Sequence, residues 1–253
     1  MGQAKAAAPS APAAPAPEKP AEKPAAPAVS ELFEKLSAAG LAGMRSPKFA
    51  ETLDAVKAAG KPAAEFLMKA LRTSTSATER FLAGALLEGA GDADAVPALA
   101  DVLKSDKDDV VRRMASHAIA VLGSPAAEGP LRAASTEDAD WGVRVNSAYG
   151  LAKLGKDDGL RILRDAYESP DTPAEYRLPV LGGLADVAAP STAPLFRKIL
   201  TDTKDVSYLL TSIHALEKMK DTEALPALEQ IQGSPLPDMV KQAAAKAADA
   251  IRK

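Results

Sequence analysis

The chain has 253 residues, 31 basic against 34 acidic side chains and a formal net charge of −3, with 47% of it apolar, which suits one or two soluble domains with a core. Ten aromatic residues set against abundant Ala, Leu, Lys and Glu favour helices over a β-sandwich or barrel. Lack of cysteine removes disulfides, thiolate metal sites, iron-sulfur clusters and a cysteine nucleophile; two histidines restrict acid-base and metal chemistry; and no run approaches the roughly 18 apolar residues needed to span a bilayer.

In chain order, residues 1–29 come first, with twelve Ala, seven Pro and only Lys5, Glu18, Lys19, Glu22 and Lys23 charged. Such a segment cannot build a core, and its prolines favour extended backbone, so it is expected to be a disordered Ala/Pro/Lys-rich tether. Prolines at 9, 12, 15 and 17 break every apolar run that a secretory signal would need, and a cytoplasmic location is expected. The opening Met-Gly-Gln-Ala-Lys-Ala approaches a myristoylation signal but has Ala6 where Ser or Thr is required.

From Ser30 to Lys253 the sequence repeats. Leu67, Leu99, Leu131 and Leu163 recur every 32 residues, and after one inserted residue Phe196 and Leu228 continue the series. Leu87, Ile119, Leu151, Leu184, Leu216 and Ala248 form a second column, and Ala90, Leu122, Leu154, Val187, Met219 and Ile251 a third. Gly91, Gly123 and Gly155 follow the third column, where a helix end favours a residue that tolerates positive φ. Three columns in one register predict a tandem array, each unit holding two amphipathic helices, such as Asp94 to Leu103 and Asp109 to Leu122. Ser30 to Ala39 and Ser46 to Ala59 read as a degenerate first unit, and Lys241 to Lys253 as a polar closing helix. That makes about seven units of period 32–33 in an all-α solenoid, 30–253. Their narrow, Ala-rich faces require stacking for stability.

The turn Asp106-Lys-Asp-Asp-Val-Val-Arg112 resembles that of HEAT repeats, with Asp before the second helix and Val-Arg five and six residues later; Asp138 with Val143-Arg144 repeats it, and Asp171 with Tyr176-Arg177 keeps its outline. Pro97, Pro194 and Pro226 in first helices are also HEAT-like, and the short period and Gly endings are similar to the bacterial variety named after phycobilisome lyases. The pattern departs from the family at Ser74 with Arg80, and at Leu209 and Lys241, where Arg would stand. The resemblance implies a HEAT-like superhelix with second helices lining its concave side.

The arginine column, Arg80, Arg112, Arg144 and Arg177, reads either as a ladder for an acidic partner or as internal structure, an Asp six residues upstream being able to cap the second helix and accept from an arginine of the same or adjacent unit. His117 and His214 share a column three repeats apart, too far to share a metal. A HEAT-repeat enzyme, deoxyhypusine hydroxylase, binds iron through His-Glu pairs, and no His-Glu dipeptide occurs here. No phosphate loop, Gly-x-Ser-x-Gly elbow or catalytic group is found, so catalytic, cofactor and metal residues are all expected to be none. Trp141, at a second-helix start, reads as a binding anchor or as a lid on the inter-helix turn.

Second-helix positions outside the buried columns form a stripe: Phe81 and Ala85; Arg113, His117 and Ala120; Val145, Tyr149 and Ala152; Leu178, Gly182 and Ala185; Leu210, His214 and Glu217. It reads equally as a groove for a helix or extended peptide or as packing between second helices. Pro179, Gly182 and Gly183, with the extra residue near Ser169 to Thr172, predict a kinked or late-starting helix and a bend there. The functional expectation is a non-enzymatic scaffold or adaptor that captures a protein or peptide through Phe81, Arg113, His117, Trp141, Val145, Tyr149, Leu178, Leu210 and His214, without a cofactor, nucleic acid or membrane insertion, its oligomeric state left open. The alternatives carried by the resemblance are a bilin-handling protein using Asp140, Trp141 and Tyr149, and a base-excision protein. The latter is disfavoured by the 28 basic and 32 acidic residues of 30–253.

Overall fold

The computed structural model describes residues 26–253, in which fourteen α-helices form seven antiparallel pairs and no strand is present among the described residues. The pairs are α1 Ala26–Ala38 with α2 Pro47–Ala59, α3 Lys61–Thr73 with α4 Ala77–Ala90, α5 Val96–Ser105 with α6 Asp109–Leu122, and α7 Glu128–Glu137 with α8 Trp141–Lys153. Then come α9 Asp157–Glu168 with α10 Ala174–Val187, α11 Ala193–Asp202 with α12 Val206–Met219, and α13 Leu225–Gln232 with α14 Asp238–Arg252. From α2 to α14, each second helix packs against the next, giving an α-solenoid. No described helix is long and apolar enough to cross a membrane.

The repeat columns are its spine. Leu67, Leu99, Leu131, Leu163, Phe196 and Leu228 are all 0% exposed, as are Leu87, Ile119, Leu151, Leu184, Leu216 and Ala248. In the first pair the corresponding buried residues are Leu36 and Val56, 31 residues before Leu67 and Leu87, so this unit is out of step with the rest by one residue. A five-residue 3-10 turn, Leu41–Arg45, joins its helices.

Local chemistry sets the helix limits. Asp108, Asp140, Asp205 and Ser76 accept backbone N–H groups at the starts of α6, α8, α12 and α4. Gly91, Gly123 and Gly155 close the second helices with φ of 72°, 64° and 72°, and Ala188 and Lys220 hold the same left-handed place at 50° and 54°. At Gly159, by contrast, an added Cβ would lie 2.4 Å from the Ala152 nitrogen and 2.7 Å from the Ala148 oxygen; glycine there lets α9 lie against the backbone of α8.

Several expected boundaries shift. The tether falls largely outside the described residues, but its expected end does not hold: α1 begins at Ala26 and Val29 is fully buried, because Val29, Phe33 and Leu36 form one apolar face. The helix expected from Asp94 starts at Val96 after a 3-10 turn, with Pro97 in its first turn, where the missing N–H is harmless. The closing helix starts at Asp238 and is not merely polar, since Val240, Ala244, Ala247, Ala248 and Ile251 are buried. Helix α10 starts at Ala174, in step with α8, and runs unbroken through Pro179, so the late start does not occur.

The apolar interior divides into two clusters that meet in α8: one runs from Val29 to Leu151, the other from Val145 to Ile251. Around this seam α9 packs chiefly on α8 and α10 and barely on its first-helix neighbours α7 and α11.

Candidate partner-binding face

The arginine column is internal. Arg80 clasps Asp106 of the next unit through Nε to Oδ2 at 2.6 Å and Nη2 to Oδ1 at 2.8 Å, and Arg112 clasps Asp138 at 2.8 and 3.0 Å. Each also donates to a carbonyl six residues upstream, Ser74 or Asp106. Burial by itself would raise the Asp106 and Asp138 carboxyls, but hydrogen bonds from the arginines and from the Asp108 and Asp140 N–H groups, with the nearby guanidinium charges, hold both below the usual carboxylate range. These aspartates do not cap the helix; Asp108 and Asp140, two residues on, do so. The ladder then stops. Arg144 would look 26 residues ahead to Pro170, and instead donates to the Asp138 carbonyl and lies 4.0 Å over the Trp141 ring. Among the described residues, Arg177 donates only to the carbonyls of Tyr167 and Ser169.

The stripe is not one groove. Val145 is 7% exposed and belongs to the core, because α8 sits at the seam where the two clusters close on it. Ala85, Ala120, Ala152 and Ala185 are buried as well. Phe81, Arg113, Tyr149, Leu178 and Leu210 are half-buried, while His117 and His214 are exposed. Of these, only Phe81, Arg113 and His117 come together. With Met44, Phe49, Ala85, Glu88, Met114 and Val110 they line an open cleft of about 420 Å³ between the first pair and the second helices α4 and α6. The cleft lies where the packing is looser, since α2 packs less closely on α4 than α6 does. Arg113 is committed on its walls: its guanidinium is bidentate to Asp140 at 3.1 and 2.7 Å and reaches Asp109 at 3.1 Å.

Sequence reasoning missed Met44, Phe49 and Glu88. The signal for Glu88 was available: its column runs Glu88, Ala120, Ala152, Ala185 and Glu217, small where the stack is tight and charged near its ends. Met44 and Phe49 lie in the degenerate unit, where no register guided the reading.

The remaining candidates lie elsewhere. Tyr149 donates to Asp186 Oδ2 at 2.6 Å, and Lys153 and Lys218 reach the same carboxylate at 3.4 and 3.5 Å, tying α8, α10 and α12 together. Burial and this bond push the Tyr149 phenol up to about 12. Half-buried Trp141 borders a small crevice with Ser135, Ile162, Leu163 and Ala166, between α7, α8 and α9 and apart from the cleft. Asp140, Trp141 and Tyr149 are thus occupied in three separate contacts. No group of three or more His, Cys, Asp or Glu side chains able to hold a metal occurs among the described residues.

The HEAT-repeat family model matches residues 64–132, 97–175 and 170–249, which together run from within α3 into α14. The chain belongs to the HEAT-repeat family. Among solved HEAT-like structures it is similar to Escherichia coli YibA, with 15% identity, 88% of this chain and 92% of that one covered, and a TM-score of 0.60. It is also similar to the complex of CpcE and CpcF of phycocyanin lyase from Nostoc, with 18% identity, coverage of 92% and 91%, and a TM-score of 0.54. Human deoxyhypusine hydroxylase aligns over 90% of this chain and 86% of its own at 19% identity, with a TM-score of 0.43. No curated protein sequence matches this HEAT-repeat chain significantly. At such identities the likenesses to YibA and to the CpcE–CpcF complex speak for the fold alone.

Proposed function

We propose that this HEAT-repeat chain is a non-enzymatic scaffold or adaptor that seats a segment of a partner protein against its second-helix face, with the cleft around Phe49 and Phe81 as the anchor. The observation that carries this reading is the cleft itself. Elsewhere along the stripe Ala120, Val145, Ala152 and Ala185 close the surface, whereas here Met44, Phe49 and Phe81 remain within reach of a ligand. His117 and Arg113 supply polar edges that fix orientation. Leu178, Leu210 and His214, further along the second helices, extend the surface as secondary contacts, and Trp141 and Val145 are left out of it. The near balance of charge supports a protein ligand over nucleic acid. The proposal includes a cytoplasmic location, tested by fractionating cells that make the full chain.

Phe81→Glu should abolish capture of the partner from its native extract while leaving helical circular dichroism unchanged. Retained capture at wild-type strength would overturn the anchor role, and a fall in helicity would show that Phe81 is structural.

A further inference from the structure

Glu88 is an anomaly within the cleft. Its side chain is 23% exposed, among Met44, Phe49, Phe81, Ala85 and Met114, and among the described residues the only cationic partner within 4 Å is His117 Nε2 at 3.6 Å. An imidazole carries charge only when protonated, and this one is itself half-open to solvent. Arg113, the one guanidinium on the cleft wall, is engaged by Asp140 and Asp109. Burial raises the Glu88 carboxyl above its ordinary value, opposed by the charge of His117. A carboxylate in apolar surroundings without a matched cation is costly, and nothing in the packing requires it: three equivalent positions carry alanine.

We propose that Glu88 is the receptor for a lysine or arginine side chain of the docked segment, so that the cleft selects a cationic residue flanked by large apolar ones. This rests on the reading of the cleft as a protein-docking site and names what it recognises. The aliphatic stem of the incoming residue lies along Phe49, Phe81 and Met114, and its charged head meets the Glu88 carboxylate where water is partly excluded. The flanking apolar residues cover Met44 and Val110, the latter 39% exposed in the free chain. The negative charge of Glu88 on the cleft wall also repels segments with Asp or Glu at that point.

The test is selection of a random twelve-residue peptide library on the full-length chain, followed by affinity measurement of the selected peptides. The expected consensus has one Arg or Lys between large apolar residues, with affinity falling at least tenfold on Glu88→Gln and lost on Phe81→Glu. Glu88→Lys, at a partly exposed position, should shift selection toward acidic peptides. Peptides without a basic residue that are lost on Phe81→Glu would overturn the cationic recognition and leave the docking cleft standing. Basic peptides insensitive to both substitutions, or no enrichment at all, would overturn both. If Lys5, Lys19 and Lys23 together changed to Glu tighten peptide binding, the chain's own amino-terminal lysines fill the cleft, and an occupant from another protein is overturned.

Discussion

The two halves of the solenoid are joined by different means. From α3 to α8, unit is clasped to unit by buried Arg-Asp pairs at a fixed offset of 26 residues, Arg80 with Asp106 and Arg112 with Asp138. From α9 onward that ladder is gone, and the ties across the seam are exposed: Arg132 with Asp158, Lys156 with Glu128, and the Tyr149, Lys153 and Lys218 cluster on Asp186. One inserted residue near Ser169 to Thr172 breaks the first missing step, moving the next aspartate to position 171 and leaving proline at 170; beyond it the spacing returns, but Arg177 would look ahead to Thr203 and Leu209 stands where the next Arg would. A periodic sequence can propagate a long-range contact only as far as its register holds.

The largest effect should come from breaking the ladder where it is intact. Arg112→Ala strands the Asp138 side chain at 9% exposure and should cost about 3 kcal/mol in urea unfolding, against about 1 kcal/mol for Arg144→Ala, which loses a carbonyl contact and the Trp141 ring. Equal losses would show that the clasp between units adds nothing beyond an arginine's contacts within its own unit. The same pairs set the acid response. Because Asp106 and Asp138 titrate below their unfolded values, their stabilisation is present above the ordinary carboxylate range and disappears as pH falls through the folded values. Hydrogen exchange in acid should therefore show α3 to α8 losing more of its neutral-pH protection in Arg80- and Arg112-bearing wild type than in a variant with both aspartates changed to asparagine.

At the seam, Gly159→Ala should destabilise by about 2 kcal/mol, since backbone of α8 must yield to a Cβ; calorimetry would read it as a lowered melting transition of the second half before the first. Tyr149→Phe should cost about 1 kcal/mol by removing the bond to Asp186. Its phenol, raised to about 12, contributes stability that is complete below pH 10 and lost as pH climbs through the folded value; burial raises Tyr167 too, so absorbance titration should show late-ionising tyrosines, with the step near 12 absent in Tyr149→Phe. The smallest change is a gain. Ala188→Gly relieves a left-handed alanine at a place where three other units use glycine, and should add about 0.5 kcal/mol.

Most of the fold was legible because it is periodic: two residue columns predicted as core are buried without exception, and the α6 limits match the reading from Asp109 to Leu122. The site was less so. A period reports which positions are equivalent, yet the cleft lies beside the first pair, where equivalence ends, and two of its apolar walls, Met44 and Phe49, belong to that irregular unit. Val145 shows the converse error: it fits the stripe by spacing, but whether a stripe position is open depends on how closely neighbouring second helices approach, which no column encodes. Pro179 shows a third limit: α10 continues through it from Ala174 to Val187 and packs on α8 and α12 on either side, so a proline in the pattern did not mark where the helix begins.

The fixed offset also means that interfaces inside the regular half are interchangeable. Excising the 32 residues from 92 to 123 would bring Arg80 opposite Asp138 at the same separation it now has from Asp106, and would splice a Gly91 ending directly to Ser124. The protein should tolerate that shortening as a whole module, while the same length removed across position 170 would leave mismatched ends.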